Sequence, residues 1–238
     1  MRIAADLHLH SCLSPCGDND MTPYNLVNMA KLLGYDMIAL TDHNSCLNCE
    51  SAMKVGDSIG LTVVPGMELC TAEEIHCVCL FPELKNALEF SEMIHGTMPA
   101  IKNKPEIYGE QRIMGTGDDI KGYEEILLHL ASSVSIDELA GVVKQYDGAC
   151  FPVHLDRSSY SVLSVLGFLY PELNFTAAEL TPDADTAVYI EKNPLLRDMK
   201  IFHNSDAHYL ENMIEPVQFL DLPECSARAL VNYINNLF

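Results

Sequence analysis

Near its N-terminus the chain reads Arg2-Ile3-Ala4-Ala5-Asp6-Leu7-His8-Leu9-His10-Ser11. A short apolar run closes on two histidines separated by one residue. This predicts a buried strand, and alternation along it puts His8 and His10 on one face. Thr22-Pro23 then offers an N-cap followed by proline at the first helical position, and Gly34 ends that helix after about Leu33. Met37-Ile38-Ala39-Leu40 predicts the next strand, which ends at Thr41-Asp42-His43. A second helix runs to about Ser58. Leu61 to Val64 and Met67 to Leu69 read as strand around Pro65-Gly66, and Ile75 to Phe81 as another. Strands separated by helices predict a parallel sheet with helices outside it, an α/β architecture.

The second half continues the pattern with one interruption. Glu83 to His95 is helical in period, but Gly96 to Gly122 has none. Residues 83–133 therefore read as a loop and helical excursion over one face, and long irregular segments of this kind are often functional. Ser135-Ile136-Asp137-Glu138 has the form of a capping box and opens a helix to about Tyr146. Ala149 to Val153 predicts a strand ending at His154. Ala177 to Leu180 and Lys200 to His203 are further short strands. Ser226 caps a last amphipathic helix with Leu230, Ile234 and Leu237 on one side. Without repeats or a linker, residues 1–238 read as one domain of barrel size.

Composition narrows the function. The chain has 34 acidic and 14 basic residues, a formal charge of −20. Such a surface repels a polyphosphate, so neither long nucleic acid nor an anionic membrane is an expected partner. A small phosphate ester drawn to a local cationic site remains. Nine cysteines in a chain able to build its own core read as reduced thiols of a cytoplasmic protein. The start lacks a signal peptide, and no apolar run is long enough to span a bilayer. Cys12-x-x-x-Cys16 and Cys46-x-x-Cys49 read as buried or incidental thiols, because a structural cluster needs four ligands at tight spacing.

The C-terminal ends of parallel strands carry the chemistry in α/β folds. Here those ends bear His8 and His10, Thr41-Asp42-His43-Asn44, Gly66-Met67-Glu68, Phe151-Pro152-Val153-His154, and Asn204-Ser205-Asp206-Ala207-His208. His76 opens one more apolar strand. Two imidazoles on one face can chelate a metal. Glu68 lies in an apolar strand, where an unpaired carboxylate is costly and a metal would satisfy it. Asp206 and His208 repeat the spacing of the first pair. Each signal alone also fits a structural histidine or a turn, whereas the set points to a metal site. Asp6 and Asp42 read either as orienters of the histidines or as turn anchors. His95, His129 and His203 match no motif.

In these motifs and their order, spanning residues 6–208, the sequence resembles the PHP (polymerase and histidinol phosphatase) family of metal-dependent phosphoesterases. The resemblance implies a distorted, TIM-like (β/α)7 barrel holding a trinuclear metal site. It implies His8, His10, Glu68 and Asp206 at one metal, and Glu68, His76 and His154 at a second. A third would take His43, His208 and an acidic residue after the first motif, for which Asp18 is the choice and Asp20 the fallback. Two to three divalent ions follow, with zinc, manganese and iron all suited to the donors. They would acidify a water for in-line attack on a phosphate ester. The expected substrate is a small phosphorylated metabolite or nucleotide, with Arg157 placed to grip the phosphate. Exonuclease-like cleavage of short oligonucleotides and a non-catalytic metal-stabilised binding module are the alternatives. An amidohydrolase fits poorly, because Glu68 takes the bridging place where those enzymes commonly use lysine.

Overall fold

In the computed structural model, which describes residues 1–238, strand and helix alternate from the first residues onward. The elements are β1 (Arg2–Leu9), α1 (Pro23–Leu33), β2 (Met37–Leu40), α2 (Cys49–Ile59), β3 (Thr62–Cys70), β4 (His76–Leu80), α3 (Leu84–His95), α4 (Pro105–Tyr108), β5 (Arg112–Met114), β6 (Ile120–Tyr123), α5 (Ile136–Lys144), β7 (Ala149–Pro152), α6 (Val162–Val165), β8 (Ala177–Leu180), α7 (Thr186–Lys192), β9 (Lys200–His203), β10 (Phe219–Asp221) and α8 (Ala227–Ile234). Six strands pair in the order β10-β1-β2-β3-β4-β7, and β8 pairs with β9. β8 packs beside β7. Across the remaining opening, Leu9 bridges Ala207 and Leu7 N–H donates to Asn204 Oδ1 at 2.9 Å. The curled sheet with its outer helices is the distorted TIM-like barrel expected.

Its strands are not all parallel. β1, β2 and β3 run parallel, as do β8 and β9, but β4 is antiparallel to β3, and β7 to β4. Only Thr71 to Ile75 join β3 to β4. A parallel crossover needs a dozen or more residues, so this connection can only fold back. The turn closes with Glu74 N–H donating to Thr71 O at 2.9 Å.

Local signals account for the helix ends. Thr22 Oγ1 accepts from Asn25 N–H at 3.2 Å, Pro23 opens α1, and Gly34 closes it at φ 93°. At α5 the expected capping box is replaced. Ser135 Oγ accepts from Asp137 N–H at 3.3 Å, but the carboxylate that completes the cap is Glu73, not Glu138. Glu73 accepts from Ile136 N–H at 3.0 Å and from Ser135 Oγ–H at 2.8 Å. α8 stops at Ile234, so Leu237 lies in solvent instead of on the packed side.

The excursion is more ordered than its sequence suggests. It holds α3, α4 and the β5–β6 hairpin. It lies on the loops that follow β1 and β2: Arg112 N–H donates to Cys12 O at 2.9 Å, and Asn44 Nδ2 donates to Leu128 O and Leu130 O at 2.8 Å.

Two apolar clusters flank the sheet. Ile3, Ala5, Leu7, Val64, Phe151 and Phe202 belong to the one inside the barrel. Leu40, Met67, Leu69, Cys77 and Cys79 face the other way, under the helices. Each fully buried large side chain contributes roughly 1.5–3 kcal/mol of transfer free energy, so the barrel wall is a rigid platform for groups at its mouth.

Candidate metal centre

A bulge in β1 aims the first pair of histidines. Pairing with β2 passes from Asp6–Ile38 to Leu9–Leu40, three residues against two. The extra residue inverts the strand's phase. Ile3, Ala5 and Leu7 point into the barrel, but Leu9 packs under the helices. His8 and His10 therefore turn inward at the mouth, with their Nε2 atoms 3.2 Å apart.

Their other ring nitrogens are tied. His8 Nδ1–H meets both Glu179 carboxylate oxygens at 3.1 Å. His10 Nδ1–H donates to Ser14 Oγ at 2.9 Å, and that hydroxyl donates to Asp42 Oδ1 at 2.7 Å. Asp42 also accepts from Ser11 N–H at 2.7 Å and Ser11 Oγ–H at 2.6 Å. This pattern leaves both Nε2 lone pairs facing the centre, the tautomer a metal ligand needs. Asp42 acts through Ser14 on His10, and Asp6 anchors the backbone: it accepts from His8 N–H at 3.2 Å and Ser205 N–H at 3.3 Å.

Glu68 and Asp206 meet these nitrogens. Glu68 is 1% exposed, with its N–H donating to Thr41 O and Asp42 O at 3.1 Å. Its oxygens lie 3.3 Å from His8 Nε2 and from His10 Nε2. Asp206 Oδ1 is 3.4 Å from His8 Nε2 and 3.2 Å from His10 Nε2. Donors bound at 2.0–2.1 Å around one tetrahedral ion stand about 3.3 Å apart. Asp206 Oδ1 and His154 Nδ1 are buried without a hydrogen-bond partner. Orphaned atoms of this kind are costly unless something else satisfies them, and a cation at the centre would satisfy Asp206 Oδ1.

Three groups of donor atoms converge, each within 4.8 Å: His8, His10, Glu68 and Asp206; His43, Glu68 and His76; and His10, His43 and His208. Glu68 Oε1 is 2.9 Å from His76 Nδ1 and 3.2 Å from His154 Nε2, and Glu68 Oε2 is 2.9 Å from His43 Nδ1. His154 thus touches Glu68, while His43 takes its place in the second group. Both His154 and Asp206 hold left-handed backbone, at φ 35° and 50°. Non-glycine residues rarely adopt this, and it persists where surroundings enforce it. For His154 the enforcing contact is its N–H donating to Glu179 Oε1 at 3.2 Å.

Asp18 is not gathered. The turn after β1 directs its N–H to His208 O at 2.9 Å, and its Oδ1 accepts from Asp20 N–H at 2.8 Å. Gly17 fixes that turn, since a Cβ there would stand 2.2 Å from Ser11 O. The carboxylate therefore caps its own loop, and Asp20 is exposed. Arg157 does reach the centre: its Nη1 is 2.7 Å from Asp206 Oδ2. Glu179 was missed, although an acid in the apolar strand Ala177–Leu180 carries the same signal as Glu68. Besides His8 and His154 it binds Asn204 Nδ2, at 2.7 Å. Tyr160 stacks on His76 with ring centroids 4.6 Å apart, also without a sequence signal. None of the three unmatched histidines joins a group: His203 bonds Thr186 and Thr181, His95 faces Glu124, and the His129 ring lies 6.0 Å from that of His43.

The electrostatics are those of a cation site. Burial opposes a charged His10, but Asp206 and Glu68 more than offset it and push its pKa up to about 9. His8 is raised likewise, against burial, by Glu179, Asp206 and Glu68. Burial would raise Glu68, and the imidazoles of His76, His8 and His43 hold it down instead. Burial pushes His43 down to about 3 and His208 to about 4, leaving both neutral near pH 7.

The PHP domain family matches residues 6–158. The chain belongs to the PHP domain family. This is a family of metal-dependent hydrolases. A Haemophilus influenzae protein named as a 5'-3' exoribonuclease is 28% identical over 147 residues, 60% of this PHP chain and 43% of that protein. Endonuclease Q of Pyrococcus furiosus superposes on all of the chain with a TM-score of 0.71 at 17% identity, and 57% of it is covered. A Bifidobacterium adolescentis protein assigned as a metal-dependent phosphoesterase gives 0.61 at 18% identity, over 86% of this chain and 87% of that one. At such identities the structural likeness is one of fold. The PHP chain spans about half the length of the exoribonuclease and of endonuclease Q.

A charge of −20 does not exclude long nucleic acid. Endonuclease Q, with this fold, has been solved with a 27-mer duplex whose abasic lesion lies at the active site. Net charge sums over the whole surface, whereas a phosphate responds to the field where it binds. No helix is long and apolar enough to cross a bilayer.

Proposed function

We propose that the chain is a metal-dependent phosphoesterase acting on the phosphate ester of a nucleotide, free or at the end of a nucleic-acid strand. The observation that carries this reading is the convergence of His8, His10, Glu68 and Asp206, with Asp206 Oδ1 buried and unpartnered. The two adjoining groups support two to three divalent ions, and mixed imidazole and carboxylate donors suit zinc, manganese or iron. His8, His10, Glu68 and Asp206 would hold one ion. Glu68 with His76 and His154 would hold a second, and His43 with His208 a third, each ring giving its one free lone pair to a single ion.

Bound there, divalent ions would supply Lewis acidity toward phosphoryl oxygens and an activated water. The chain's own residues prepare the rest. Glu179 and Ser14 hold the Nδ1 protons of His8 and His10, so neither ring rotates its lone pair away. Burial keeps His43 and His208 neutral and available as donors. Arg157 spends one nitrogen on Asp206 and stays 46% exposed, leaving N–H groups for phosphate oxygens.

Exonuclease-like cleavage is the second reading. It is favoured by the relation to the H. influenzae exoribonuclease, which covers 60% of the chain. Nine unpaired cysteines, most of them buried, support a reducing, cytoplasmic setting. The test is phosphate release from nucleoside mono- and bisphosphates, together with shortening of 5'-phosphorylated RNA and DNA. Turnover that disappears in Asp206→Asn is expected. Metal-loaded protein that is inert on every substrate would replace the enzyme by a metal-stabilised binding module.

A further inference from the structure

Beside the third histidine group lies a cleft of about 450 Å³, within the size range of small-ligand sites. The turn Cys16-Gly17-Asp18-Asn19 forms its floor. Ile107 and Tyr108 of α4 form the outer wall, and Tyr209, next after His208 in the chain, closes the third side. His129 stands at the edge toward the metal centre, with its ring centroid 6.0 Å from that of His43.

The cleft is held in the same frame as the centre. Gly109, at φ 92°, lets the excursion come down on the loop after β1, where a Cβ would stand 2.7 Å from Pro15 O. Asn103 Nδ2 donates to Gly109 O at 2.7 Å and fixes the end of α4. Asp18 N–H bonds His208 O at 2.9 Å, which ties the floor to the loop carrying two of the gathered residues.

The lining selects the occupant. No lysine or arginine borders the cleft, and Asp18 is its one acidic residue. A phosphate is repelled there and belongs at the cationic centre next door. Ile107, Tyr108 and Tyr209 are nevertheless 63%, 41% and 42% exposed, large apolar faces left in water beside a polar site. Exposed Asn19 adds an amide that both donates and accepts. A flat, uncharged ring with a hydrogen-bonding edge meets all of these conditions.

We infer that the cleft takes the nucleobase of the nucleotide whose phosphate sits at the metal centre, with Tyr108 and Tyr209 as its stacking faces. This rests on the phosphoesterase reading and adds the residues that select nucleotides over phosphates without a base. Both tyrosines are exposed, so their replacement leaves the core intact.

The test compares a nucleoside 5'-monophosphate with ribose 5-phosphate, which has an anomeric hydroxyl in place of the base. Affinity is read by calorimetry and turnover by phosphate release, in manganese-loaded protein. Tyr108→Ala and Tyr209→Ala should each weaken nucleotide affinity and raise its KM on the order of tenfold, as loss of one base–aromatic stack does. Ribose 5-phosphate and metal content should be unchanged, and Tyr108→Trp should retain the nucleotide preference. Equal affinity for both ligands in the unaltered protein, or equal loss for both in the alanine variants, would overturn the inference. A base-dependent affinity lost in Tyr108→Ala without any hydrolysis would support the cleft and overturn the phosphoesterase reading instead.

Discussion

Glu68 touches every part of the centre: one oxygen faces His8, His76 and His154, and the other His10 and His43. Glu68→Ala is expected to remove at least one ion per chain in elemental analysis. Glu179 never faces the centre itself but orients His8 and His154. Loss of such an outer partner typically costs 10–100-fold in metal affinity, so Glu179→Gln should weaken metal binding by about that factor in a chelator competition, with circular dichroism unchanged. An unaltered affinity would remove Glu179 from this role. His10 adds a pH dependence. Its folded pKa of about 9 lies above the ordinary 6.5, so its charge stabilises the metal-free fold below pH 6.5. That contribution is lost as pH rises through 9. A metal takes only the neutral ring, so uptake near pH 7 should release protons, and affinity should tighten as pH rises toward 9. Affinity that is flat over that interval in a pH series would contradict this balance. Most of the gathered residues are legible in the sequence, because an HxH pair or a DxH pair at a strand end is a local fact. Asp18 lies outside the gathered donors because its direction depends on the tight turn at Gly17, which spacing does not reveal. Glu179 was legible in principle, but no motif drew attention to it.

Among the elements, the caps of α1 and the helical run Leu84–His95 follow directly from sequence signals. The β1 bulge does not, yet it decides where His8 and His10 point. Nothing in Asp6-Leu7-His8-Leu9-His10 marks the extra residue, because it is enforced by pairing with β2. The reversal at β4 is legible in the Thr71–Ile75 link, which is too short for a parallel crossover. The β5–β6 hairpin escaped because its strands, Arg112–Met114 and Ile120–Tyr123, are too short to show a period. At α5, Ser135 supplies the cap jointly with Glu73. Ser135→Ala should cost about 1 kcal/mol in urea unfolding, with metal content unaffected. A far smaller loss would mean that Glu73 caps the helix alone.

For the molecule as a whole, the barrel brings donors from residues 8 to 208 into one buried cluster whose charges are balanced by mutual contact. Metal binding then belongs to fold stability. Free metal at about 100 times its dissociation constant stabilises by about 2.7 kcal/mol. For a domain of this size that is roughly 5–10 °C in Tm. Thermal scans with and without chelator should show such a shift, and coincident curves would mean that metal and fold are uncoupled. The α/β class was legible from alternation, and the −20 charge was legible as arithmetic. What that charge excludes was not, because polynucleotide binding is set by the local field.

Elemental analysis of the purified chain beside Asp206→Asn tests the metal centre most directly. Two to three divalent ions per chain are expected, one for each donor group that fills, with a clear deficit in the variant. Absence of divalent metal in the unaltered chain at every loading condition would contradict the account.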